Sequence, residues 1–145
     1  MTIAYPSDPA IARIAAGLLD RSLPKAEWTH AAHFGSTLWL LRHRPGFDGA
    51  SEMPGIIRTY NVASGGENTD SAGYHETITQ ASLRAAAAVL AAAPHETPLH
   101  VVLDDLLAGP QGDRDWLLAY WSRDRLFGVE ARRRWCPPDI APLPF

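Results

Sequence analysis

The segment from Pro24 to Arg44, PKAEWTHAAHFGSTLWLLRHR, decides the fold because its apolar residues recur with the period of an α-helix. At about 100° per residue, one arc of this helix is apolar and consists of Ala31, Phe34, Leu38 and Leu41. A second apolar surface consists of Trp28, Ala32 and Trp39. A helix that is apolar on two sides is contacted on two sides, so the segment is predicted to be the central helix of the fold.

Proline, glycine and capping residues divide the rest of the chain into further helical segments. We expect helices over about 8–21, 54–63, 74–93 and 98–107, and one or two more between 113 and 135. Pro54 is expected to interrupt the segment that begins near Asp48. The 145 residues are therefore predicted to form one all-α domain over 1–145, a bundle of about five to six helices.

The last ten residues, CPPDIAPLPF, contain too much proline for a helix. We expect this tail to lie extended across the bundle, because three of its side chains have little reason to face water. These side chains are Ile140, Leu143 and Phe145.

Composition excludes several classes of partner. The formal net charge is -3 and no basic stripe exists, which argues against a nucleic-acid-binding protein. The only dense basic run, 132–134, is interpreted as a solvated helix end. A single cysteine, Cys136, cannot form an internal disulfide and favours a reducing, cytoplasmic location. No signal peptide and no membrane span are expected, and the five tryptophans with the apolar tail are compatible with a homodimer.

Two histidines and a carboxylate lie near the start of the central helix: Glu27, His30 and His33, each three residues from the next. Side chains at that spacing share a helix face and can converge on one ion. Glu-x-x-His is also the spacing used in di-iron bundles, although this chain has no second copy of it. The alternative is structural, because the helix dipole favours an acid in a first turn and a histidine there can bond to a neighbouring loop.

A second polar group follows the glycine-containing loop at 64–73 and consists of Tyr74, His75, Glu76 and Thr79. In a helix that begins near Tyr74, His75 and Thr79 share a stripe that borders the buried face. A helix N-terminus disfavours imidazolium, so we expect a neutral His75, the form that a metal ligand or a general base requires. The alternative is that His75 and Thr79 are internal caps that tie down the loop.

In a simple up-down bundle the second and fourth helices run parallel, so the two histidine segments would lie at the same end. Three imidazoles and an open position form a catalytic type of site for a divalent transition metal, either zinc, iron, nickel, copper or manganese. The predicted metal ligands are His30, His33, His75 and Glu27. The predicted catalytic residues are Glu76, Tyr74 and Thr79, and either glutamate could be a fourth ligand or a general base.

The two segments, with RLFGVEARRRW and PDIAPL near the C-terminus, resemble a group of small bacterial proteins of unassigned function. The recurring patterns are Trp-Thr-His-x-x-His, here 28–33, and Tyr-His-Glu-Thr-x-Thr, here 74–79. The resemblance spans most of the chain. It implies a shared fold and a shared site, and it implies no activity or substrate.

Three functions stay open. The leading hypothesis is a small metalloenzyme that activates water or O2, or polarises a carbonyl substrate. The second is a metal-free isomerase, dehydratase or cyclase, with His75 or His30 as the general base and Thr79, Tyr74 or Asn61 orienting a small substrate. The third is a non-catalytic helical module that binds a small ligand or a protein, in which the histidines are internal hydrogen-bond hubs.

Overall fold

The computed structural model describes residues 3–145 and shows an all-α domain, with no strand in that range. Its seven α-helices are α1 (Asp8–Asp20), α2 (His30–His43), α3 (Gly49–Ala63), α4 (Glu76–Ala92), α5 (Leu99–Ala108), α6 (Arg123–Leu126) and α7 (Val129–Arg133). Short 3-10 turns cover Lys25–Glu27, Pro110–Gly112 and Trp116–Ala119. The predicted fold class is confirmed. Across 3–145, no helix has the length and apolar character needed to cross a membrane.

Helix α2 is the central helix, as its two apolar surfaces predict. It packs against α1, α4 and α5. Phe34 and Leu38 belong to a core cluster shared with α4, α5 and the C-terminal segment. Ala32 and Leu40 belong to a second cluster shared with α1 and α3. The two faces of one helix therefore organise both halves of the core.

The start of α2 differs from the prediction. The helix begins at His30, because the Thr29 hydroxyl accepts a hydrogen bond from the Ala32 N–H at 3.2 Å and so acts as its N-cap. The residues before it form a separate 3-10 turn, Lys25–Glu27. The prediction of a helix from Pro24 was wrong, and Glu27 does not lie on α2.

Helix α3 continues through Pro54, so the predicted interruption was wrong. Proline has no N–H, which leaves the carbonyl of Ala50 without its helical donor. The Gln80 side-chain amide donates to this carbonyl at 3.0 Å from α4. At the start of the helix, the Glu52 carboxylate accepts from the Asp48 N–H at 2.7 Å. The first bond satisfies the carbonyl that Pro54 leaves without a helical donor, and the second satisfies the N–H of the residue before the helix.

The C-terminal third has shorter helices than predicted. In place of one helix from Asp113, the chain forms the 3-10 turn Trp116–Ala119 and then α6. No helix or strand follows Arg133. The tail is held by the Trp121 indole N–H, which donates to the Cys136 carbonyl at 2.9 Å, and by the packing of its last residues on the core. Ile140 is 59% exposed, so the expectation that it avoids water was wrong.

The loop at 64–73 is anchored by α7. One Arg132 nitrogen donates to the carbonyls of Gly73 and Tyr74, at 3.0 and 3.3 Å. Gly73 has φ +82, and a Cβ there would lie 1.9 Å from the Glu67 carbonyl oxygen, so only glycine fits this turn. The interpretation of the basic run as a solvated helix end was wrong for Arg132, which fixes the loop against α4.

Candidate functional site

A cavity of about 670 Å³ lies between the first turns of α2 and α4, with α3 and residues 114–118 completing its wall. Part of the wall is apolar and is formed by Trp28, Phe34, Met53, Ile57, Ile78, Leu83, Trp116, Leu117 and Leu126. The polar part includes Thr29, His30, His33, Thr37, Asn61, Thr79, Ser82, Arg114, Asp115 and Arg132. Exposed wall residues such as His33 and Phe127 mark the side that opens to solvent. Both histidine segments reach this one cavity.

His30 and His33 differ in what their rings contact. His30 is the first residue of α2, and its Nε2 donates to the Gln111 carbonyl at 2.6 Å. The His33 ring is stacked on the Trp28 indole, with 3.8 Å between centroids and 27° between planes. Among residues 3–145, nothing forms a hydrogen bond with the His33 ring. His33 therefore offers the cavity a free imidazole on a rigid aromatic support.

The His33 imidazole is neutral at neutral pH. Desolvation by the surrounding protein lowers its pKa from 6.5 to about 4, and the nearby charges of His30 and Arg114 act in the same direction. Since the side chain is also exposed to the cavity, water that enters the cavity moderates this shift. Desolvation and the nearby charges both lower the pKa of His33, so its ring is neutral and can accept a proton.

His75 is the N-cap of α4 and not a residue of its first turn. Its Nδ1 accepts a hydrogen bond from the Ile78 N–H at 3.1 Å, which leaves Nε2 as the protonated nitrogen. Nε2 donates to the Leu126 carbonyl at 2.7 Å, and the residue is 7% exposed. Burial lowers the pKa of His75 below 6.5, although the hydrogen bond to the Leu126 carbonyl raises it in part. His75 is a cap, as the structural alternative proposed, but it is tied to α6 and not to the 64–73 loop.

These contacts do not assemble the predicted metal ligands. In the described part of the chain, no group of three or more His, Cys, Asp or Glu side chains lies close enough to hold an ion. No buried side-chain nitrogen or oxygen in that part lacks a hydrogen-bond partner, and both nitrogens of His75 are engaged. The donor set therefore does not fit a three-histidine ion site in this arrangement, and the metal site stays a prediction that the geometry does not support.

Glu27 lies apart from the cavity. Its carboxylate pairs with the Arg13 guanidinium of α1, and it is not a wall residue. The predicted convergence of Glu27 with His30 assumed that both lie on one helix, and that assumption was wrong because α2 begins at His30.

Of the predicted catalytic residues, Tyr74 and Thr79 line the cavity and Glu76 lies behind them. The Tyr74 hydroxyl donates to the Glu76 carboxylate, and the Arg58 guanidinium lies 4.6 Å from the centroid of the Tyr74 ring. Burial raises the pKa of Tyr74, and the bond to the Glu76 carboxylate raises it further. Tyr74 therefore stays protonated, Glu76 positions its hydroxyl, and the Thr79 side chain lies within hydrogen-bond reach of its oxygen.

Sequence reasoning missed Arg114 and Asp115, which line the cavity from a turn between two 3-10 segments. No helical periodicity places a residue of such a turn. One local signal was present: a Cβ on Gly112 would lie 1.8 Å from the Leu107 carbonyl oxygen. Glycine at that position lets the turn fold back on the end of α5 and reach the cavity.

Comparisons with protein-family models, with curated proteins and with solved structures find no match to this chain.

Replacing His75 should destabilise the fold. His75→Ala removes the N-cap of α4 and leaves the Leu126 carbonyl unpaired, which together should lower the free energy of unfolding by about 2 to 4 kcal/mol. His75→Asn keeps a capping oxygen and should recover about 1 kcal/mol of that loss. Chemical denaturation measures both variants. Equal stability of His75→Ala and the parent would show that the cap does not form.

Stability should also fall as the pH drops below about 6.5. The folded-state pKa values of His33 and His75 lie below their ordinary 6.5, so the unfolded chain takes up protons first. Their contribution is complete above pH 6.5 and is lost as the pH approaches about 4 for His33. The carboxyl of Asp70, whose pKa the Arg133 hydrogen bond lowers, loses its contribution only below its ordinary 3.8.

Denaturation curves at successive pH values test this window. The decline between pH 6.5 and 4 should become shallower in a double variant, His33→Gln with His75→Asn. His95→Gln is the matched control, because His95 is exposed, and it should leave the decline unchanged. An unchanged decline in the double variant would show that other groups cause it.

Proposed function

We propose that this chain is a metal-free enzyme of the isomerase or dehydratase type, which binds a small organic substrate in the cavity and exchanges a proton with it through His33. One observation carries the proposal. A neutral imidazole with no protein partner among residues 3–145 is exposed to a cavity of about 670 Å³ and fixed against an indole ring.

The size and wall of the cavity suit a small organic molecule. Ligand sites of about 300–1,000 Å³ with a mostly apolar lining and a few polar groups are typical of small-molecule sites. The apolar wall would bury the body of the substrate, and the polar groups at the solvent side would orient it. This supports a small-molecule ligand over a protein partner, which needs a broader surface.

His33 is better suited to proton transfer than the other two histidines. A general base needs a free lone pair within hydrogen-bond reach of the substrate. His75 uses both nitrogens within the protein, and His30 keeps only its Nδ1 lone pair because Nε2 donates to the Gln111 carbonyl. By contrast, both nitrogens of the exposed His33 ring are unpaired within residues 3–145. The stack on Trp28 restricts the orientation of the His33 ring, so the acceptor nitrogen is presented in a defined direction.

Tyr74 and Thr79 would orient the substrate. The Tyr74 proton is directed to the Glu76 carboxylate, and the Thr79 side chain lies within hydrogen-bond reach of the Tyr74 oxygen, so the two hydroxyls would contact a substrate hydroxyl together. Thr79 lies on the same part of the wall and can donate or accept. Glu76 acts through Tyr74 and is therefore a positioning residue in this proposal.

Experiments can distinguish this proposal from the two other functions predicted from the sequence, a metalloenzyme and a non-catalytic binding module. A metalloenzyme requires His75 to release the Ile78 N–H or the Leu126 carbonyl before it can bind an ion. A non-catalytic binding module would use the same cavity without proton transfer at His33.

The buried Cys136 fits a reducing compartment, and we extend the proposal to a cytoplasmic location. A homodimer stays a prediction.

The tryptophans supply a built-in test of ligand binding. Trp28 and Trp116 line the cavity, whereas Trp39, Trp121 and Trp135 do not. In ¹H–¹⁵N NMR spectra, small organic fragments that bind should shift the indole signals of the first two and leave the other three unchanged. Fragments that bind but shift only the other three would place the ligand site elsewhere.

The role of His33 is tested separately from binding. Diethyl pyrocarbonate, which acylates neutral accessible imidazoles, should modify His33 and spare His75 in the folded protein. A bound fragment should slow the modification of His33. If fragments bind at Trp28 and Trp116 while His33 is not modified, the cavity is a binding site and the proton-transfer role is wrong. Zinc that shifts His30, His33 and His75 together would favour the metalloenzyme.

A further inference from the structure

We infer that the ligand of the cavity is a small organic acid whose single carboxylate is held by Arg114. This inference rests on the proposed function of the cavity and names the class of molecule that it takes. It is carried by the charged groups of the wall, which the sequence analysis did not connect with the histidines.

Arg114 is the cation that the protein leaves free at this site. Its side chain is exposed and lines the cavity, and no described residue forms a hydrogen bond or an ion pair with it. The other arginine of the wall, Arg132, already donates to the carbonyls of Gly73 and Tyr74. A guanidinium with all its donors available is suited to hold a carboxylate with two parallel hydrogen bonds.

Arg114 and His33 line the same cavity. The positive charge of Arg114 is close enough to the His33 ring to lower its pKa. A carboxylate bound to Arg114 would neutralise that charge and remove its share of the lowering of the His33 pKa, while desolvation, the largest cause, remains. Since a general base works best with a pKa near the operating pH, the bound acid would make His33 a better proton acceptor. Recognition of the substrate and activation of the base would then depend on the same contact.

Asp115 limits the negative charge that the site accepts. Its carboxylate also lines the cavity and makes no ion pair with any residue in 3–145. A monoanion can be held by Arg114 with modest repulsion from Asp115. A phosphate dianion doubles both the attraction to Arg114 and the repulsion from Asp115, and its second charge must also leave water for a cavity with a partly apolar wall, which disfavours it. The apolar wall favours an acid with a hydrophobic body. These features together select an organic monocarboxylate.

Three probes with one ring system test the inference: naphthoate, naphthamide and naphthyl phosphate. Each is titrated into the parent protein, and affinity is measured from the indole signals of Trp28 and Trp116. Naphthoate should bind at least about tenfold more tightly than the neutral amide and than the phosphate. Arg114→Gln should remove the preference for naphthoate over naphthamide. Arg44→Gln, at an exposed arginine outside the cavity, should leave it unchanged.

The outcomes separate this inference from the proposed function. Equal affinity for naphthoate and naphthamide would overturn the carboxylate class and leave the cavity as a neutral ligand site. Tighter binding of naphthyl phosphate than of naphthoate would overturn the assignment of the ligand as a monoanion. If no probe shifts Trp28 or Trp116, both proposals fail. Arg114→Lys, which keeps the charge without the planar fork, should retain part of the preference, and thermal unfolding shows that each variant is folded.

Discussion

The two hydrogen bonds of the His75 ring hold the C-terminal segment to the rest of the bundle. One ring nitrogen accepts from the first turn of α4, and the other donates to the carbonyl of Leu126 at the end of α6. Only the neutral tautomer that carries its proton on Nε2 can make both bonds. Because Leu126 and the following Phe127 are wall residues, these bonds also set one side of the cavity. A buried neutral imidazole thus joins two elements that are far apart in sequence and shapes the space between them.

The same residue type serves two different purposes around this cavity. His75 is buried with both nitrogens paired, and desolvation keeps it neutral so that it can cap a helix. His33 is neutral too, but its ring has no hydrogen-bond partner in the described part of the chain and faces the open space. A lowered pKa alone therefore does not identify a reactive histidine. Access and unused hydrogen-bonding capacity distinguish the two, and both point to His33 as the group available to a ligand.

The structure could be predicted from the sequence where local periodicity determines it. It could not be predicted where a side chain from a distant part of the chain determines it. The central position of α2 follows from the helical spacing of its apolar residues. The start of α2 depends on whether Thr29 caps the helix or is part of it. Helix α3 passes through Pro54 because the Gln80 amide, from another helix, replaces the backbone N–H donor that proline lacks. Helix order correctly suggested that the two histidine segments share one end of the bundle. The bond from His75 to Leu126 spans 51 positions, and no spacing rule predicts it.

His75 is a structural cap, while His33 is the free imidazole of the site. Long-range ¹H–¹⁵N NMR of the histidine rings measures the protonation of each nitrogen directly. At neutral pH we expect His75 to be the Nε2–H tautomer and not to respond to zinc or to organic fragments. We expect His33 to be neutral and to respond to fragments that enter the cavity. Zinc-induced shifts of the His75 and His33 nitrogens together, at equimolar metal, would show instead that the two residues share a metal site.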